Sequence, residues 1–141
     1  MKKLGLLVAF VATLLFSAPA WADVVAHIYL WSQSMTVSVD GVQRYTWPVS
    51  TGRFGHMTPI GEYHPIRLER VWYSTIYNFA PMPYAVFFRG GYAIHGTNET
   101  ARIGRRASHG CVRLDTANAA ILFSLVKQQG YGKTSIIITR W

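Results

Sequence analysis

The stretch Met35-Thr36-Val37-Ser38-Val39-Asp40-Gly41 constrains the fold most strongly. Met35, Val37 and Val39 alternate with polar residues, the period-two pattern of a half-buried strand. Asp40-Gly41 follows at once, a dipeptide favoured in two-residue hairpin turns, where positive φ is needed. Val42 to Val49 then reads as the returning strand. A hairpin with one apolar face must bury that face against a second layer.

The rest of the chain supplies such layers. Val24 to Trp31 is rich in β-branched and aromatic residues and reads as a strand. Thr58-Pro59-Ile60-Gly61 has Pro at the second and Gly at the fourth position of a turn, and Gly61 to Leu68 is expected to continue as one strand. Tyr84 to Phe88 and Tyr92 to His95 flank Gly90-Gly91, a second hairpin signal. Thr134 to Thr139 is a β-branched strand. Asp115 to Gln129 differs, because Ile121, Leu122, Leu125 and Val126 recur at helical spacing. Asp115 or Thr116 would cap its start and Gly130 its end. The expectation is a mainly β, mainly antiparallel domain, a β-sandwich with one helix after the segment Ser108-His109-Gly110-Cys111. Trp31, Trp47 and Trp72 read as packing residues rather than sugar-stacking platforms, and Tyr84 suits either the core or a cleft. His27, His56 and His64 read as surface or structural residues.

The N-terminus bears on where the chain works. Lys2 and Lys3 precede an apolar run of 13 residues, Leu4 to Phe16, and Ala20-Trp21-Ala22 places small residues where a signal peptidase reads them. The run is short against the roughly 20 residues of a spanning helix. The expectation is a signal peptide over residues 1–22, cleavage before Asp23, and one exported domain over residues 23–141, in a periplasm. The formal charge of +8 falls to +6 without Lys2 and Lys3. Ten arginines suit carboxylates and phosphates, which the guanidinium fork binds bidentately. No nucleic-acid-binding motif appears, and an anionic polymer of the envelope suits a basic exported domain better.

Cys111 is the chain's single cysteine, so it forms no intramolecular disulfide. It is a pairing site for another chain, a reactive thiol, or a small buried hydrophobe. A thiol attacks as thiolate and needs a base beside it. His109 is close in sequence, whereas His95 ends a separate strand and can face Cys111 across a cleft. Gly96 and Gly110 remove side chains where a substrate must approach, and the N–H groups of Gly110 and Cys111 can face a developing oxyanion. That set suits acyl transfer through a thioester. Ser108 reads as a pocket residue bonded to backbone rather than as a nucleophile. His95, His109 and Cys111 are three plausible zinc ligands, but they lack the short repeated spacing of a metal motif. Arg102, Arg105 and Arg106, between His95 and Cys111, are either solvated or attract an anionic substrate.

Ile94-His95-Gly96-Thr97-Asn98, followed after a loop by Ser108-His109-Gly110-Cys111-Val112-Arg113-Leu114, resembles the active-site signature of the L,D-transpeptidase (YkuD-type) family. Val49 to Arg53 and Thr58 to Tyr63 are similar to that family's strand–turn elements, so the resemblance spans most of residues 24–139. It implies action on peptidoglycan stem peptides. Cys111 would attack the bond between the third residue and the terminal D-alanine of a tetrapeptide stem. His95 would accept and return the proton, with the Gly96 carbonyl orienting its ring. Ser108, His109 and Gly110 would shape the pocket and oxyanion site, and Arg113 would bind a stem carboxylate. The acyl group would pass to an amine of another stem or of an envelope protein, or to water in a carboxypeptidase or endopeptidase. The resemblance also implies that no metal or other cofactor is used and that carbapenems acylate Cys111. A peptidoglycan-binding module without chemistry is the remaining alternative, and it has no need of the thiol.

Overall fold

In the computed structural model, which describes residues 23–141, Asp40 and Gly41 take φ of 50° and 80°. The hairpin they close joins β2 (Ser34–Val39) to β3 (Val42–Pro48). β2 also pairs with β1 (Val24–Tyr29). Alternation sends Val24, Ala26 and Ile28 of β1 and Met35, Val37 and Val39 of β2 inward, all buried. The signal peptide expected over residues 1–22 lies outside the described residues.

The segment expected as one strand from Gly61 to Leu68 splits in two. β4 (Gly61–Tyr63) joins the first sheet and β5 (Arg67–Glu69) the second. Pro65 lacks the N–H a continuing ladder would need. His64 Nδ1 bonds the Thr134 carbonyl at 2.7 Å where the chain leaves the first sheet.

The Gly90-Gly91 turn connects β6 (Ala85–Arg89) to β7 (Tyr92–Thr97). Val112–Asp115, for which no strand is evident in the sequence, forms the short β8. It leads directly into α1 (Thr116–Gln129), where Asp115 accepts a hydrogen bond from the Ala117 N–H as N-cap. Gly130, at φ 93°, ends the helix by donating its N–H to the Val126 carbonyl. β9 (Thr134–Thr139) completes the fold.

Strand order is β3-β2-β1-β9-β4 in one sheet and β5-β6-β7-β8 in the other. The mainly β architecture, with two sheets and one α-helix after the Ser-His-Gly-Cys segment, is the expected one. Pairing is mainly antiparallel, as expected, with β1–β9 and β7–β8 running parallel. Both parallel pairs require long connections. The one between β7 and β8 carries the Ser108–Cys111 turn, and that crossover positions the site.

The core gathers Ile28, Met35, Ile94, Leu114 and Ile138 from the sheets with Ala119, Leu122 and Val126 from α1. Each large aliphatic side chain so buried contributes roughly 1.5–3 kcal/mol. Of the three tryptophans expected to pack, Trp47 is buried and stacks on Tyr45, and Trp72 lies edge-on to Phe87. Trp31 is a correction: it stands 76% exposed.

Candidate active site

β8 has only four residues, yet its register with β7 decides which side chains meet. Ile94 pairs with Val112, His95 with Arg113 and Gly96 with Leu114. Ile94, Val112 and Leu114 point into the main core. By alternation Ala93, His95, Cys111 and Arg113 share the opposite face. There Cys111 packs against a small cluster of Met82, Ala85, Phe87 and Ala93. The same face opens into a pocket of about 370 Å³ lined by Cys111, His95 and Arg113. Cys111 lies two residues before the register partner of His95. That offset is roughly 6.6 Å along strands roughly 4.8 Å apart, a gap that side chains leaning toward one another can narrow.

His95 is buried, and its Nδ1 lies 2.7 Å from the Gly96 carbonyl. Burial pulls its pKa from 6.5 to about 4; the Gly96 bond works against that shift and the nearby Arg113 charge adds to it. Burial likewise raises the Cys111 thiol, opposed by the Ala93 backbone and by Arg113. The thiol sits 3.8 Å from the Gly91 carbonyl, to which it donates. In the resting site both groups are therefore neutral near pH 7.

The turn before β8 is held from several sides. Ser108, fully buried, accepts the Gly110 N–H on its Oγ at 3.0 Å and donates that hydroxyl to the Cys111 carbonyl at 2.6 Å. The hydroxyl thus fastens the turn. The Arg53 N–H bonds the Ser108 carbonyl, and the Thr58 hydroxyl donates to the Gly110 carbonyl at 2.8 Å while accepting the Gly52 N–H. Gly110 has φ +126°, and a Cβ there would sit 2.5 Å from the Tyr92 ring. No other residue fits that position without rearrangement. Gly96 is constrained differently, because a Cβ would lie 2.9 Å from Thr116 Cα at the start of α1. The expectation that both Gly110 and Cys111 N–H groups face an oxyanion is corrected for Gly110, whose N–H is already given to Ser108.

His109 lines the same pocket, with its ring at the rim. It stacks on Tyr77 at 4.1 Å and meets His56 edge-on at 5.2 Å. His56 is thus not remote from the motif, as its distance in sequence suggested. Partial desolvation and the positive neighbours Arg53, His56 and Arg113 lower the His109 pKa. Arg113 reaches Glu99 at 4.0 Å, a loose pair that leaves the guanidinium open to a further carboxylate.

Arg102 pairs with Glu99, Arg105 bonds the Ala101 carbonyl, and Arg106 turns toward Leu30 and Met57; none of the three lines the pocket. Tyr84 packs on Phe123 away from it. Ser74, Tyr77, Pro81 and Met82, on the connection between β5 and β6, form a wall that sequence reasoning missed. Their only signal was an aromatic-rich stretch without strand or helix period.

Comparison with known proteins places this geometry. The family model for the L,D-transpeptidase catalytic domain, YkuD, matches residues 23–138. The putative L,D-transpeptidase YkuD of Bacillus subtilis strain 168 is 28% identical over 99 residues, covering 67% of this chain and 56% of that protein. An L,D-transpeptidase from Mycobacterium smegmatis superposes with a TM-score of 0.76 at 27% identity, covering 83% of this chain and 58% of that one. The LD transpeptidase LdtMt1, solved in complex with imipenem, gives 0.72 at 25% identity, covering 83% and 59%. The chain spans a little over half the length of each of these relatives. It belongs to the YkuD family of L,D-transpeptidase catalytic domains.

Proposed function

We propose that the chain is an exported peptidoglycan L,D-transpeptidase of the periplasm, with Cys111 as nucleophile and His95 as proton carrier. The observation that carries the reading is the shared face of β7 and β8. It brings a neutral thiol and a neutral imidazole into one pocket, with the imidazole's Nδ1 engaged by Gly96 and its Nε2 left over.

The steps follow from that arrangement. The carbonyl between the third residue and D-alanine of a tetrapeptide stem enters beside Cys111. The thiol proton moves to His95 Nε2 as sulfur bonds to the carbonyl carbon, and the Cys111 N–H is the remaining candidate donor to the oxyanion. The C–N bond breaks, His95 returns the proton to the departing amine, and a thioester remains. An amine from a second stem or an envelope protein gives its proton to His95, attacks the thioester, and releases the thiol. Arg113, only loosely paired, binds a stem carboxylate. Ser108, Gly110 and Thr58 hold the turn that aims Cys111. Imipenem is bound in the LdtMt1 structure, and by the same chemistry a carbapenem ring offers its strained carbonyl to Cys111 here.

The test is incubation of the purified domain with disaccharide-tetrapeptide and mass spectrometry of the products. A cross-linked dimer with release of D-alanine is the expected result. Tripeptide alone would assign the thioester to water, and unchanged substrate would overturn the enzymatic reading.

A further inference from the structure

Trp31 and Trp141 are 76% and 77% exposed, which leaves two adjacent indoles as a large apolar surface in water. They are held side by side by backbone: the Leu30 N–H bonds the Thr139 carbonyl and the Trp31 N–H bonds the Arg140 carbonyl at 2.8 Å, extending the β1–β9 ladder. The ring centroids are 5.8 Å apart and the planes meet at 55°. The indoles therefore touch as a tilted pair, each leaving much of its ring surface open to solvent.

Beside them runs a groove of about 480 Å³, with Met57, Pro59 and Ile60 as apolar lining and Arg106 and Arg140 as its cations. Arg106 is fixed by the Leu30 carbonyl at 3.2 Å and by Met57 Sδ at 3.4 Å. Among the described residues neither arginine forms an ion pair. The groove is separate from the Cys111 pocket but backs onto the same segments. Thr58 lines it while donating to the Gly110 carbonyl, and Arg106 stands two residues before Ser108.

We infer that this groove binds an anionic N-acetylated glycan, with pyranose rings laid on Trp31 and Trp141 and carboxylates of the glycan's substituents on Arg106 and Arg140. The C–H face of a sugar ring matches an indole, and unpaired guanidinium forks match carboxylates. The lining makes a concave groove beside the indoles, whereas a membrane-inserting face projects its apolar side chains outward. The identity of the polymer rests on the proposed function, since the groove backs onto the segments that hold the Cys111 turn.

The test uses the Cys111→Ala protein, which cannot turn over, and calorimetric titration with soluble, peptide-free glycan strands whose lactyl carboxylates are free. Saturable binding is expected, weakened at least tenfold by Trp31→Ala or Trp141→Ala. Arg140→Gln should weaken it and flatten its salt dependence. Neutral chitooligosaccharides of equal length should bind less tightly. The same three substitutions in the Cys111 protein should leave carbapenem acylation unchanged, which shows that each variant is folded and separates this site from the catalytic one. Absence of binding, or binding indifferent to both tryptophans, overturns the inference. So does binding to phosphatidylglycerol vesicles without binding to glycan, which would make this a membrane face. Failure of the wild type to be acylated would count against the proposed function instead.

Discussion

His95 donates its Nδ1–H to the carbonyl of Gly96, the next residue along β7, at 2.7 Å. A carbonyl only accepts, so the bond sets the tautomer and leaves Nε2 of the neutral ring unprotonated. A carboxylate in that position would stabilise the imidazolium as well as orient the ring. The neutral carbonyl mainly orients, and burial pulls the His95 pKa to about 4. The site therefore rests as a neutral pair, and on the proposed mechanism charge would develop only once a carbonyl is present to take the sulfur.

This has a consequence for pH dependence. With His95 neutral down to about pH 4, carbapenem acylation should be level from mildly acidic to neutral pH, with its acidic fall centred near 4. Stopped-flow measurement of the acylation rate between about pH 3 and 8 reads this directly. An inflection near 6.5 would mean that the imidazole titrates as an exposed histidine.

Stability should show the same displacement. The unfolded chain protonates His95 near 6.5, the folded chain only near 4. Between those values the unfolded state holds more protons, so stability falls as pH drops through this window, by roughly 3 kcal/mol from this one group. His95→Gln should remove that part of the slope in urea titrations at pH 7 and 4.5. It should also lower the acylation rate by about 10²–10⁴-fold, the usual contribution of a general base.

Cys111 is the only thiol in the chain, so covalent capture has one expected address. Intact-mass analysis after incubation with imipenem should show one adduct on the wild type and none on Cys111→Ala. An equal adduct on the variant would move the nucleophile elsewhere.

The elements legible in the sequence were those whose signal is local. Asp40-Gly41, the period of β2, the Asp115 cap and the Gly130 stop each act within a few residues, and each forms where expected. What stayed hidden depends on partners distant in the chain. β8 is recognisable as a strand only beside β7, and the parallel β1–β9 pair joins segments more than a hundred residues apart. Pro65 was visible, but that it sends β4 and β5 into different sheets depends on where those sheets lie. The motif brought out Cys111 and His95 as candidates because their chemistry is rare in the chain. Thr58, His56 and Tyr77 escaped a role because each is ordinary until the fold carries it to the Ser108–Cys111 turn.

Thr58 provides the sharpest check on that turn. Its hydroxyl donates to the Gly110 carbonyl and accepts the Gly52 N–H, joining two segments 52 residues apart. Thr58→Val keeps the volume but leaves the Gly52 N–H and the Gly110 carbonyl without this partner, at a cost of about 1–3 kcal/mol for each buried group left unsatisfied. Chemical denaturation should register that loss. The acylation rate should fall about tenfold, because the turn aiming Cys111 has lost one of its ties, while the His95-dependent pH profile keeps its shape. Thr58→Ser, which restores the hydroxyl and omits only a methyl group, should recover most of the rate. If valine keeps the rate and serine loses it, the methyl contact rather than the hydrogen bonds holds the Cys111 turn in place.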